Sequence, residues 1–332
     1  MLMIRFDLRV PDFAATTHAE QYRACLEMCE WAEGLGFDAA VLSEHHGTPD
    51  GYLPAPVPFA AAVLARTNRI PVNIAAVLAP FHDPVRLAEQ LAVVDLVAPG
   101  RISVVAAVGY RRAEFEMAGI PSNERGARLE EAVRVLRAAW TGEPFEYQGR
   151  EIVVRPTPAT PGGPMIMIGG GTEPAARRAA RLRCGFFPSA ANAKLAEWYA
   201  DECEKVGFAE GFCGDASGPA FVHIAEDPDM AWEQIGPHAL FDAQSYASWQ
   251  EAAYRPATDV PDATTWQDVR DSGVYRVLTP DEAVELSKTS GGGFMLHPLM
   301  GGIPPDLAWR SLELFEHKVL PEIRPTGVEA TA

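Results

Sequence analysis

Short apolar runs alternate with longer amphipathic stretches along most of this 332-residue chain. Residues 4–10, 38–43, 72–78 and 101–108 read as strands, the last of them a β-branched run. Apart from 4–10, where charged and apolar residues alternate, their apolar residues are continuous, as expected of strands covered on both faces in a parallel sheet. Between them, 18–33, 58–66, 84–97 and 125–140 read as helices. Asp83-Pro84 supplies a cap and a proline at the first helical position, and Pro99-Gly100 and Thr141-Gly142 supply stops. The alternation then resumes, with strands predicted at 165–168, 185–188, 220–225 and 292–296. Helices are predicted at 173–183, 193–206, 281–288 and 306–319.

Eight strands, each followed by a helix, predict an α/β fold of the (β/α)8 TIM-barrel type, in one domain over residues 1–322. Residues 323–332 read as a loose tail, and Tyr147-Gln148-Gly149-Arg150 as the turn of a surface hairpin. One stretch breaks the rhythm. Residues 227–277 hold Trp232, Tyr246, Trp249 and Tyr254, several prolines and no clean strand, and read as an insertion after strand seven.

Composition narrows the function. At 48 % hydrophobic residues the chain can bury a large core, and a net charge of −17 disfavours nucleic acid and anionic membrane as partners. No apolar run approaches the ~20 residues of a membrane span. The first ten residues alternate charged and apolar positions without the apolar core of a signal peptide, so a cytoplasmic location is expected. Five scattered cysteines do not make a disulfide framework.

In a barrel of this kind the C-terminal strand ends share one mouth, where catalytic residues gather. Glu44, His45 and His46 follow the second strand and place proton-transfer groups there. Around them the same logic puts residues 78–82, 109–112 and 169–172, with His297. Gly169-Gly170-Gly171-Thr172 follows a strand and opens a helix, which suits an anion such as phosphate or, equally, a tight turn. A metal site built from His45, His46, His82 and His297 is the rival, but adjacent residues of an extended chain point apart, so His45 and His46 are poorly placed to chelate together. There is no G-x-S-x-G elbow, and the four lysines all read as helix surface, so the hard chemistry is assigned to a cofactor.

The order of several motifs resembles the bacterial luciferase-like flavin oxidoreductases. The residues that carry the likeness include Ser43-Glu44-His45-His46-Gly47, Ala75-Ala76-Val77-Leu78-Ala79-Pro80, Asp83 to Glu89 and Val94 to Arg101. Gly109-Tyr110, Glu114-Phe115, Trp140 to Glu143, Ile168-Gly169-Gly170, Arg177 to Ala180 and Val319-Leu320-Pro321 continue it. The resemblance implies a TIM barrel, commonly a homodimer, that binds reduced FMN or the deazaflavin coenzyme F420 at its mouth. FMN members use dioxygen to oxygenate a small-molecule substrate, with flavin reduced by a separate flavin reductase. Deazaflavin members transfer hydride. Some members are non-catalytic subunits of a heterodimer.

Carried over by position, the resemblance makes His45 the base at the flavin, with Glu44 and His46 as its support. It places Ala75 and Ala76 at a cis non-proline peptide under the ring, Val108, Gly109 and Tyr110 beside it, and Gly169, Gly170, Gly171 and Thr172 at its phosphate. Light-emitting members carry an arginine where this chain has Val108, with Arg111 or Arg112 as replacements from the next turn. That departure leaves room for the deazaflavin. The aromatic residues of 227–277 are expected to line or cover the pocket.

Overall fold

A computed structural model describes residues 1–190, 192–214, 221–249, 260, 262–289 and 293–324. The strands in chain order are β1 (Leu2–Phe6), β2 (Ala39–Leu42), β3 (Val72–Leu78), β4 (Ile102–Ala107), β5 (Phe145–Tyr147), β6 (Arg150–Ile152), β7 (Met165–Gly170), β8 (Gly185–Pro188), β9 (Phe221–Ile224), β10 (Tyr275–Leu278) and β11 (Phe294–Leu296). The helices are α1 (His18–Gly34), α2 (Pro56–Arg66), α3 (Pro84–Val97), α4 (Arg112–Ala118), α5 (Arg125–Trp140), α6 (Glu173–Arg181), α7 (Lys194–Val206), α8 (Pro228–Trp249), α9 (Trp266–Asp271), α10 (Pro280–Thr289), α11 (Pro305–Leu314) and α12 (Leu320–Ile323). None of the described helices is long and apolar enough to cross a membrane.

The chain divides into two compact units, and it passes from the first to the second within β2. The second unit, Val41–Ser217 with Trp249–Ala257, carries the strand–helix alternation read from sequence. Here β2, β3, β4, β7 and β8 lie side by side, with β3–β4, β4–β7 and β7–β8 all parallel. A parallel pair needs a crossover, and α3, α5 and α6 supply those crossovers. α3 starts as its sequence predicts: the Asp83 carboxylate accepts the Val85 and Arg86 amides, and Pro84 occupies the first turn. Ile74, Val104 and Ile168 of the strands and Leu91 and Leu136 of the helices are buried in this core. The residue 145–152 hairpin forms as β5 and β6.

The first unit, Met1–Ala40, Gly218–Ser248 and Thr258–Ala332, pairs β1 with β11 and β9 with β10, both parallel. α1 opens on a capping box in which Thr17 accepts the Glu20 amide while the Glu20 carboxylate accepts the Thr17 amide. A buried polar network runs through this unit. Arg9 donates to Asp242 at 2.9 Å, and the Tyr275 hydroxyl donates to the other oxygen of Asp242 at 2.7 Å. The Arg9 guanidinium also lies 4.7 Å from the Phe241 ring centre.

The described residues of 227–277 are more regular than their sequence suggests. They form α8, α9 and most of β10, with Tyr275 and Val277 buried and Arg276 exposed. The strand was missed because half its positions are polar or only partly covered, and the helix because Pro237 and mixed aromatics blur its period. Tyr254 and tail residues 325–332 lie outside the described residues. Arg324, at the start of that tail, donates to the Gly36 carbonyl at 2.7 Å.

Candidate active site

β2 hands its chain to a buried turn at Ser43-Glu44-His45, and Ser43 fixes it by donating to the Ala75 carbonyl of β3 at 3.1 Å. Side chains alternate along an extended segment, so 44 and 46 share one side and 45 takes the other. Two separate carboxylate centres result.

On one side, Glu44 accepts from Nε2 of His46 and Nε2 of His82, both at 2.7 Å and both on Oε1. Its Oε2 accepts the Leu78 amide at 2.8 Å. Burial pushes the Glu44 pKa up, but the bonds from His46, His82 and Leu78 outweigh it and hold the group at about 2. The same bond raises the pKa of His46 against the opposing effect of its own burial.

On the other side, His45 Nδ1 lies 2.8 Å from Glu114 Oε1, which also accepts the His46 amide at 2.8 Å. An oxygen accepting both bonds assigns the ring proton to Nδ1 and leaves Nε2 as the acceptor in the neutral imidazole. Nε2 faces the Tyr110 hydroxyl at 3.3 Å. Rings enclose the imidazole: Tyr52 and Trp249 at 4.8 Å between centres and Tyr110 at 5.6 Å. Glu114 Oε2 is buried with no hydrogen-bond partner among the described residues.

This geometry corrects the support assigned to His45 from sequence. Glu44 accepts from both His46 and His82, and the carboxylate that holds His45 is Glu114, 69 residues downstream. Glu114 faces inward from the short helix α4 while its neighbour Glu116 pairs with Arg112 at the surface. The signal was present in sequence: a glycine at a strand end, then a helix whose Glu114-Phe115 face turns inward while Glu116-Met117 turns out. His82, expected at the mouth and as a ligand of the rival metal site, donates to Glu44, and no pattern in the sequence points to Tyr52.

The remaining candidates fall at or just beyond strand ends, except Ala75 and Ala76, which lie in the middle of β3 rather than at its end. The Ala75–Ala76 peptide is cis, and both residues are half-buried, as are Val108 and Tyr110. Gly109 sits at φ +75°, and a Cβ there would come within 3.3 Å of the Phe115 ring. The glycine turn is tight for internal reasons: a Cβ on Gly169 would lie 2.8 Å from Val105, and one on Gly170 2.6 Å from Ala175. Gly171 is half-buried, and Thr172 caps α6 in position only, its side chain making no capping bond. Arg112 is spent on Glu116, and Arg111 donates to the His46 carbonyl and places its guanidinium 5.0 Å from the Trp249 ring centre. Of the aromatic residues in 227–277, Trp249 meets His45, whereas Trp232 stacks on Trp266 and Tyr246 accepts from Arg5. His297 lies 3.5 Å from Asp7 in the first unit.

Residues 5–291 match the family model of the luciferase-like monooxygenases. The chain belongs to that family. Its luciferase-like α/β fold superposes on the monooxygenase RslO1 from Streptomyces bottropensis with a TM-score of 0.76 and 26 % identity, covering 96 % of this chain and 98 % of that one. Among curated luciferase-like relatives, the F420-dependent glucose-6-phosphate dehydrogenase of Rhodococcus erythropolis is 27 % identical, over 93 % of this chain and 96 % of its own length. The FMNH2-dependent dimethylsulfone monooxygenase of Pseudomonas putida is 31 % identical over 51 % of this chain and 48 % of its own. These relatives are oxidoreductases.

Proposed function

We propose that this chain is a flavin-dependent oxidoreductase on the family's (β/α)8 plan, a monooxygenase that uses reduced FMN and dioxygen on a small organic substrate. The observation that carries the reading is His45, fixed by Glu114 with its acceptor nitrogen turned into an aromatic wall. Small side chains of the same unit support a flat ring: Ala75, Ala76 and Ala107 leave half-buried methyl groups where the rest of β3 and β4 is largely closed. In this proposal Ala75, Ala76, Val108, Gly109 and Tyr110 hold the ring. The open first turn of α6, with Gly169, Gly170, Gly171 and Thr172, takes the phosphate. Bound reduced FMN would supply the electrons that activate dioxygen.

The chain's own residues handle the proton. His45 takes or gives it at Nε2, Tyr110 donates a hydrogen bond to that atom, and Glu114 stabilises the ring when it is charged. Glu44, through His46 and His82, holds the turn that presents His45. A separate flavin reductase would provide the reduced flavin, and a cytoplasmic homodimer is the working form. A deazaflavin-dependent hydride transferase is the second reading, favoured by likeness to the F420-dependent dehydrogenase along 93 % of this chain.

Anaerobic titration with reduced FMN and with reduced F420 tests both. Binding of FMN is expected. Tight F420 binding without FMN binding would replace the first reading by the second, and binding of neither would make the chain a non-catalytic subunit.

A further inference from the structure

The first turn of α4 meets residues 45 and 46 through two side chains. Arg111 stands at the N-cap position of α4, where its side chain makes no capping bond, and Glu114 follows three residues on. The two lie 4.0 Å apart, and both reach His46. Glu114 Oε1 accepts the His46 amide at 2.8 Å, and Arg111 donates to the His46 carbonyl through Nη1. The same Glu114 oxygen bonds Nδ1 of His45 at 2.8 Å. One turn of one helix therefore holds both backbone groups of His46 and the ring of His45.

We propose that Arg111 is a positioning residue, which clamps residues 45 and 46 to α4 so that Glu114 keeps the Nδ1 proton of His45, and that it does not hold the cofactor's phosphate. Its part in catalysis rests on the oxidoreductase reading above, whereas the clamp itself does not. Burial supports the assignment. The side chain of Arg111 is 12 % exposed and that of Glu114 is enclosed entirely, so each charge lends the other a stabilisation that water supplies poorly there. Turning Arg111 out toward a phosphate would break its bond to the His46 carbonyl and leave the buried carboxylate without the arginine beside it. The guanidinium also lies 5.0 Å from the Trp249 ring centre, a further attraction at this position. Arg111 therefore does not stand in for the arginine that light-emitting members carry where this chain has Val108. The clamp uses a single donor and a positive charge rather than the guanidinium fork, so lysine meets both needs.

NMR of the cofactor-free protein, carrying isotopically labelled histidine, reads the clamp directly. The His45 Nδ1–H signal is the one lost in His45→Gln. Arg111→Met is expected to lose that signal, and Arg111→Lys to retain it. Reduced FMN and reduced riboflavin, which differ by the phosphate alone, are titrated anaerobically against the same proteins. In both Arg111 variants the ratio of the two affinities is expected to stay within about two-fold of the unaltered protein's. An arginine bonded to the phosphate would instead cost FMN about ten-fold or more and spare riboflavin. That selective loss overturns the proposal, as does an unchanged His45 signal in Arg111→Met. The other histidine signals show whether each variant is folded. Should Arg111→Met not fold, Arg111→Gln takes its place, with the same loss of signal expected and an unchanged signal overturning the clamp. The NMR readout needs no cofactor, so binding of neither flavin would count against the FMN reading while the clamp is judged on the signal alone.

Discussion

Each unit holds a buried carboxylate by hydrogen bonds from its neighbours, and the two differ in their access to solvent. In the first unit Arg9, Asp242 and Tyr275 bond one another inside the core, with Arg9 and Tyr275 each under 3 % exposed. In the second unit His46 and His82 keep 21 % and 22 % of their side chains in contact with the outside. A network cut off from solvent holds structure. One with edges open to solvent can also exchange protons. Access to solvent separates the two.

The sharpest way to break this contrast is His45→Ala. It is expected to lower turnover by roughly 100- to 10,000-fold in steady-state kinetics while leaving reduced-flavin affinity nearly intact. Parallel losses in both would make His45 a binding group. On the other side, Asp242→Ala strands a buried arginine and should cost about 3–5 kcal/mol in urea unfolding, with residual activity preserved per folded molecule. A loss near zero would mean the first-unit network is not structural.

Acid titration distinguishes the two centres next. Glu44 titrates at about 2 when folded and near 4.5 when unfolded, so its contribution, about 3 kcal/mol, is full above pH 4.5 and fades as pH falls toward 2. His46 runs the other way: its raised pKa gives a contribution that is full below 6.5 and is lost as pH climbs through the folded value. Unfolding free energy measured across pH should therefore show the Glu44–His46 contribution largest between about 4.5 and 6.5, and Glu44→Gln should flatten the acid limb. The smallest expected effect is Glu114→Gln. It keeps the shape but weakens the hold on the imidazolium, and turnover should fall about 100-fold with reduced-flavin affinity nearly unchanged. Unchanged turnover would remove Glu114 from the proton-handling group.

Much of this was readable in the chain itself, and what was hidden has a common cause. Continuous apolar runs announced β3, β4 and β7, and Asp83-Pro84 announced α3, because those signals are local. The Glu44-His45-His46 run marked a strand end for the same reason. The pairing of these groups was not local. Which carboxylate meets His45 depends on the side each residue takes in a turn and on a seven-residue helix that begins at Arg112. Position 44 is next door in sequence and faces away, whereas position 114 is far off and faces in. Trp249 was noticed as one aromatic among four, and only packing separated it from Trp232 and Tyr246.

The shared oxygen of Glu44 also constrains how this sequence can drift. His46 and His82 donate to the same atom, so losing either one leaves the carboxylate a remaining partner together with the Leu78 amide. Losing both would leave a buried anion held by one amide alone, so the second substitution is expected to cost more than the first. Positions 46 and 82 are therefore coupled, and a lineage that has replaced one of them is held more tightly at the other.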